Sequence, residues 1–310
     1  MAKILAVFGA TGQQGGAVID YLLQDAELSQ EYKIRAVTRD VNSKTAKRLE
    51  GNVELVQADV LDQASLETAL TDVHTIFAMT TPSFGPNALE IEYNRGKTIA
   101  DVAVEKGVQY IIFSTLPAAR EISGGKYTKI TPFDAKAKVQ QYIRGLPIKS
   151  AFYSPAFFME NFQPPNFQTP QKSPDGTWVL ARHMSPKSPS HYIDAGSDTG
   201  KFIGAILAEP DKFEGKTVCA ASGAYDWEEI AATMSEVTGK TVVYKQISLE
   251  EFKKSVAFEP DMFAEGFSYD EEFGYWGPNS KEEAAWAAKN ARGKLSTLKE
   301  FLEAHPLQLT

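Results

Sequence analysis

The run Gly9-Ala10-Thr11-Gly12-Gln13-Gln14-Gly15 limits what this 310-residue chain can fold into more than any other feature. It follows an apolar stretch at residues 4–8 with no linker and opens a segment at 13–24 whose apolar residues recur at helical spacing. A strand that turns straight into a helix uses its first glycine for the turn and its second where phosphates approach the backbone. The third glycine lets helix and strand pack closely. The helix start then offers amides and the positive end of its dipole to an anion. Gly9, Thr11, Gly12, Gln13, Gln14 and Gly15 are therefore expected to hold a pyrophosphate, although the same residues would also make a tight turn that binds nothing.

The rest of the first half keeps the rhythm of a parallel sheet with crossover helices. Short apolar runs at 4–8, 34–38, 53–57, 75–79, 110–114 and 148–153 read as strands covered on both faces. Helical stretches fit between them at 13–24, 44–49, 65–70, 88–106 and 132–143. The expectation is a Rossmann-type α/β fold, a doubly wound parallel sheet with a ligand beyond the strand C-termini. After Tyr153 the rhythm breaks into chain rich in proline and phenylalanine. A helix at 194–207, begun by Asp194, a strand at 217–220, a helix at 227–237 and a strand at 242–246 follow. The reading is a Rossmann domain at 1–155 that also receives the 194–207 helix, with a smaller, irregular α/β region at 156–310 for substrate or partner.

The end of the second strand narrows the ligand. An NAD site usually carries an acidic residue there for the ribose hydroxyls; this chain reads Thr38-Arg39-Asp40. Arg39 offers a planar fork to a 2′-phosphate, with Ser43 and Lys44 at the next helix start adding a hydroxyl and a charge. Asp40 is the counter-argument, since it would suit a bare ribose, so NADP(H) is favoured with NAD(H) as the alternative. Asp59 and Val60 after the third strand are expected near the adenine, and Thr80, Thr81 and Pro82 after the fourth near the nicotinamide ribose.

Charge and composition remove other classes. A net charge of −8 and a pI near 5.2 give no general attraction to nucleic acid or an anionic membrane. One cysteine, Cys219, allows no intramolecular disulfide. His74, His183, His191 and His305 show no metal-ligand spacing, so no metal is expected. No apolar stretch approaches the roughly 20 residues of a membrane span. The expected compartment is the cytoplasm, with the nucleus open as a second.

Beyond the glycine loop and Thr38-Arg39-Asp40, three segments carry a family likeness: Gly107-Val108-Gln109-Tyr110-Ile111-Ile112-Phe113-Ser114, Phe133-Asp134-Ala135-Lys136 and Phe157-Phe158-Met159-Glu160-Asn161-Phe162. The chain resembles the NmrA-like proteins of the atypical short-chain dehydrogenase/reductase superfamily. The resemblance implies NADP(H) binding and covers fungal repressors, dinucleotide-sensing regulators and NADPH-dependent reductases. Ordinary short-chain dehydrogenases pair a tyrosine acid with a lysine four residues on, and a serine that orients the substrate oxygen. Here the lysine matches Lys136 and the serine region matches Ser114-Thr115, but the tyrosine position is Pro132, a residue with no proton to give. Pro132 also suits a first helical turn, with Thr131 as its cap. Tyr127, in a glycine loop, is a poor substitute acid.

Tyr153, Pro155 and Phe158, at and beyond the sixth strand, are expected to meet the cofactor. Ser114, Thr115, Phe157, Asn161 and Phe162 are expected to line a substrate pocket. The missing tyrosine favours a dinucleotide-sensing redox regulator, with a protein partner such as a transcription factor. The alternative is an NADPH-dependent reductase of a small hydrophobic carbonyl, enone or quinone.

Overall fold

The computed structural model describes residues 2–164 and 166–309. β1 (Lys3–Phe8), β2 (Tyr32–Thr38), β3 (Glu54–Gln57), β4 (Thr75–Ala78), β5 (Tyr110–Ser114), β6 (Lys149–Pro155) and β7 (Thr217–Ala220) form one sheet in the order β3-β2-β1-β4-β5-β6-β7. All its neighbouring strands are parallel. The strand order reverses between β1 and β4, and ligands of doubly wound sheets sit beyond the strand ends at such a point.

The longer helices are α1 (Gln13–Gln24), α2 (Ala88–Glu105), α3 (Thr131–Arg144), α4 (Ala195–Ala208), α5 (Trp227–Thr238), α6 (Pro260–Phe273) and α7 (Ser280–Asn290). Alternation along β1 shows why both sheet faces need cover. Leu5 and Val7 pack with Val18, Ile19 and Leu22 of α1 and with Phe202, Ile203 and Ile206 of α4. Ala6 and Phe8 face the opposite core, with Ile99 and Ala103 of α2 and Val139 and Ile143 of α3. Among the described residues no helix is long and apolar enough to cross a membrane.

Two expectations change. The 217–220 strand belongs to the large sheet, where it pairs along β6 as a seventh strand. Thr131 is the first residue of α3 and not its cap; Ile130 holds the cap position without a side-chain hydrogen bond. The helix begun by Asp194 is as expected, since the Ser197 amide donates to Asp194 Oδ1 at 2.9 Å. The region from 156 onward adds two small sheets. One joins Phe157–Phe158, Ser190–Ile193 and Gly223–Tyr225; the other joins Gln171–Lys172, Trp178–Arg182 and Val242–Gln246. Trp227, Phe252, Phe267 and Phe301 fill the core they share with α5 and α6.

A buried acid ties α6 to the first small sheet. The Ser190 hydroxyl donates to Asp270 Oδ2 at 2.6 Å, and both residues are buried. Burial pushes the Asp270 carboxyl up to about 7, with Glu271 adding to the rise and Ser190 opposing it. A carboxyl raised on folding contributes stability that is complete below its ordinary value and lost as pH rises through its folded value. Resistance to urea should therefore fall between about pH 4 and about pH 7, and Asp270→Asn should flatten that fall. An unchanged slope in the variant would assign the pH dependence to other groups.

Candidate functional site

The glycine loop is built as a cradle. Gly9 sits at φ +63, in the left-handed region that favours glycine, and its carbonyl accepts the Gly12 amide at 2.9 Å. A β-carbon on Gly15 would lie 2.3 Å from the Gly9 carbonyl oxygen and 2.9 Å from the Ala10 nitrogen, so β1 and α1 meet as closely as two backbones allow. Gly12 occupies the N-cap of α1 with no side-chain cap, and no acidic residue stands in the first turn. The opening amides are thus not engaged by a capping side chain, and the dipole is not offset by a carboxylate. Behind the loop the Ser114 hydroxyl donates to Gln14 Oε1 at 2.7 Å, pinning the end of β5 to α1.

Next to the loop lies a cavity of about 440 Å³, lined by Gly9, Thr11, Arg39, Asp59, Val60, Thr80 and Thr81 among others. Arg39 is exposed and makes no ion pair or side-chain hydrogen bond with any described residue. Asp40 is engaged locally: its carboxylate accepts the Asn42 amide at 2.8 Å. Ser43 donates to the Asp40 carbonyl and accepts the Ala46 amide, capping the short helix Lys44–Lys47, with Lys44 exposed at its start. The Asp59 carboxylate accepts the Leu61 amide at 2.9 Å, in a turn of its own. Arg95 of α2 also lines this cavity and was not among the expected site residues.

Lys136 is buried and engaged. Its ammonium donates to the Thr80 carbonyl and hydroxyl oxygens, each at 3.1 Å, and forms an ion pair with Glu92 of α2. Thr80 in turn donates to Glu92 Oε1 at 2.7 Å. Burial pulls the Lys136 pKa down and the Glu92 carboxylate works against that fall. Sequence reading missed Glu92. Its signal was present, since positions 88, 92, 96, 99 and 103 form the buried stripe of α2 and one of them is a carboxylate.

The β4 loop links this cavity to a second. Thr80 and Thr81 line the first, and Pro82 lines an apolar cavity of about 260 Å³ together with Pro132, Phe133, Phe157, Asn161 and Phe267. Of the five expected pocket residues, Phe157 and Asn161 line this cavity. Ser114 and Thr115 are buried, the second donating to the Lys136 carbonyl at 3.3 Å, and Phe162 lies in the C-terminal core against Tyr192. Of the residues expected at the cofactor, Tyr153 is buried with its hydroxyl paired to Thr199 at 2.9 Å. Pro155 is buried in β6 beside Ala220, and Phe158 packs against the sheet core. Glu160 is structural, accepting the Ala195 and Gly196 amides at the start of α4.

Tyr127 does not take the place of the absent tyrosine. The Tyr127 hydroxyl donates to Glu272 at 2.9 Å and its ring packs on Tyr269 and Phe273, and partial burial raises its pKa first, Glu272 second. A wider cleft of about 900 Å³, lined by Lys138, Gln141, Cys219 and Glu283 among others, lies on another face of α3 and includes no glycine-loop residue. Site geometry, more than size, singles out the paired cavities beyond β1 and β4.

Known proteins of similar sequence or fold give the comparison. An NmrA-like family domain-containing protein of Dictyostelium discoideum is 30% identical over 312 residues, covering 98% of each chain. The solved structure of NmrA, a negative transcriptional regulator in complex with NADP, superposes with a TM-score of 0.81 at 22% identity, over 99% of both chains. Citrobacter sp. triphenylmethane reductase complexed with NADP(H) superposes with a TM-score of 0.74 at 25% identity, over 97% of this chain and 99% of that one. The likeness to NmrA, at its level of identity, establishes a common fold. The family model for NmrA-like proteins matches residues 1–302, and with it and the full-length relative agreeing, the chain belongs to the NmrA-like family.

Proposed function

We propose that this protein binds NADP(H) along the glycine loop and reduces a small hydrophobic acceptor in the apolar cavity beside Pro132. The single observation that carries the reductase reading is that apolar cavity, preformed one helical turn from Lys136 and adjoining the cavity of the glycine loop. A sensor of dinucleotide occupancy has no need of it.

The residues present suit the dinucleotide. Gly15 lets the loop pack directly on α1 with no β-carbon between them, the first α1 amides have no capping side chain, and Arg39 stands unpaired among the described residues. In this reading the α1 amides hold the pyrophosphate, Arg39 holds the 2′-phosphate, and Lys136 with Thr80 faces the ribose at the nicotinamide end. NADPH, when bound, supplies a hydride. The protein's contribution is orientation, because neither Pro132 nor the engaged Tyr127 delivers a proton. General acid catalysis is typically worth about 10²–10⁴-fold, so the acceptor must be one that is reduced without it. Quinones and conjugated enones meet that demand, since water can complete the protonation.

The test is NADPH oxidation against a panel of quinones, enones and simple ketones. Turnover with quinones or enones and little with simple ketones is expected; no turnover above background with any of them would rule the reductase out.

A second reading, a regulator that changes conformation or partner with dinucleotide state, is favoured by Pro132 and by the pairing of Lys136 with Glu92. It carries a protein partner such as a transcription factor and a presence in the nucleus as well as the cytoplasm. It also requires different affinities for the two states, because equal affinity shifts no equilibrium.

A further inference from the structure

Among the described residues, a buried polar group at the apolar cavity is left unpaired. Gln168 lines the cavity and is 4% exposed, yet its side-chain oxygen Oε1 has no hydrogen-bond partner among the described residues. The backbone there is well held: the Gln168 amide donates to Asn166 Oδ1 at 3.0 Å and the Thr169 amide to the Asn166 carbonyl at 3.1 Å. The side chain is thus presented by a fixed turn. Buried amide oxygens are rarely left unpaired, and an unpaired one calls for an explanation.

Around it the walls are rings. Phe133, Phe157, Phe263 and Phe267 line the cavity with Pro132, and Phe84 stands at its exposed side, edge-on to Phe258 with ring centroids 4.8 Å apart. A wall of rings favours a flat aromatic guest. A volume of about 260 Å³ is below the range typical of drug-sized ligands, which suits one or two fused rings.

We propose that Gln168 is the specificity-determining residue of this cavity, and that its amide pairs with the oxygen of a one- or two-ring aromatic or quinonoid ligand. The proposal rests on reading the cavity as the acceptor site. Through Oε1 the amide can accept from a hydroxyl, and through its NH₂ it can donate to a carbonyl. One residue can therefore recognise the oxidised and reduced forms of the same ring. A ring without oxygen leaves the amide unpaired and binds more weakly, because a site built to pair a polar group rejects the analogue that lacks it.

Calorimetric titration with naphthoquinone, naphthol and naphthalene tests this on the full chain, for the wild type and Gln168→Leu. The wild type should bind the two oxygenated rings at least about ten-fold more tightly than naphthalene. Gln168→Leu should erase that difference while retaining naphthalene binding. Equal binding of all three by the wild type, or discrimination surviving in the variant, would overturn the proposal. Thermal unfolding supplies an independent check, since replacing an unpaired buried amide by leucine should leave the melting temperature unchanged or raised. A clear fall would mean that the amide has a partner inside the protein, and the proposal would fail. Failure of the reductase reading is distinguishable: Gln168-dependent binding without NADPH turnover overturns that reading and leaves this one standing. Turnover whose acceptor preference ignores Gln168→Leu does the reverse.

Discussion

Gly15→Ala should weaken or abolish dinucleotide binding and destabilise the fold, whereas Gly16→Ala, one residue on, should stabilise it. Within a helix, exchanging glycine for alanine ordinarily gains about 1 kcal/mol. At Gly16 that gain is available, because the nearest atom to a new β-carbon is the Ala10 oxygen at 3.8 Å, an ordinary contact. At Gly15 the new carbon would stand 2.3 Å from the Gly9 oxygen and 2.6 Å from its carbonyl carbon, both backbone atoms that no rotamer change can move. Overpacking of this kind costs about 1–3 kcal/mol, which outweighs the helical gain and is relieved by pushing the loop away from α1. Urea unfolding and NADPH titration of the two variants should diverge in sign. Equal behaviour would mean that the loop yields freely and that close packing at Gly15 is unimportant.

Glu92→Leu should lose about 3–5 kcal/mol of stability, the cost of leaving a buried charge without its partner. Lys136 is buried, and only Thr80 would remain to receive its ammonium. The double variant Glu92→Leu with Lys136→Met should recover most of that loss, since an apolar pair of similar volume is often as stable as a buried ion pair. The single variant should also regain stability as pH rises. Glu92 opposes the downward pull of burial on the Lys136 pKa, so its removal lowers that pKa further. A lysine depressed on folding is protonated more readily in the unfolded chain, and stability then climbs with pH toward the lysine's ordinary value. Denaturation of the three proteins across pH checks both statements. A single variant as stable as wild type would show that the pair carries no such burden.

What could be read from the chain beforehand was what neighbouring residues decide together. The strand, loop and helix from Lys3 to Gln24 lie in sequence, and their pattern carries the whole local fold. The pairing of Glu92 with Lys136 joins residues 44 apart on two different helices, so only a buried stripe interrupted by a carboxylate hinted at it. The 217–220 run was legible as a strand, but strand propensity says nothing about which sheet receives it. The aromatic segment from Phe157 to Phe162 divides for a local reason. It passes from a two-residue strand into a 3₁₀ turn at Met159–Phe162, which breaks the alternation and turns Phe162 into the C-terminal core while Phe157 lines the cavity. Asp40, the rival to Arg39 by position, holds the Asn42 amide with one carboxylate oxygen, a local turn that the sequence pattern did not specify.

In the proposed reading Arg39 and the glycine loop are the two halves of one site. Titration of the wild type and Arg39→Ala with NADPH and with NADH tests the claim most directly. The wild type should prefer NADPH, and Arg39→Ala should weaken NADPH by about 10- to 100-fold, as expected for loss of a charge-assisted hydrogen bond, while NADH changes little. Failure of the wild type to bind either dinucleotide, or equal loss of both in the variant, would contradict the assignment.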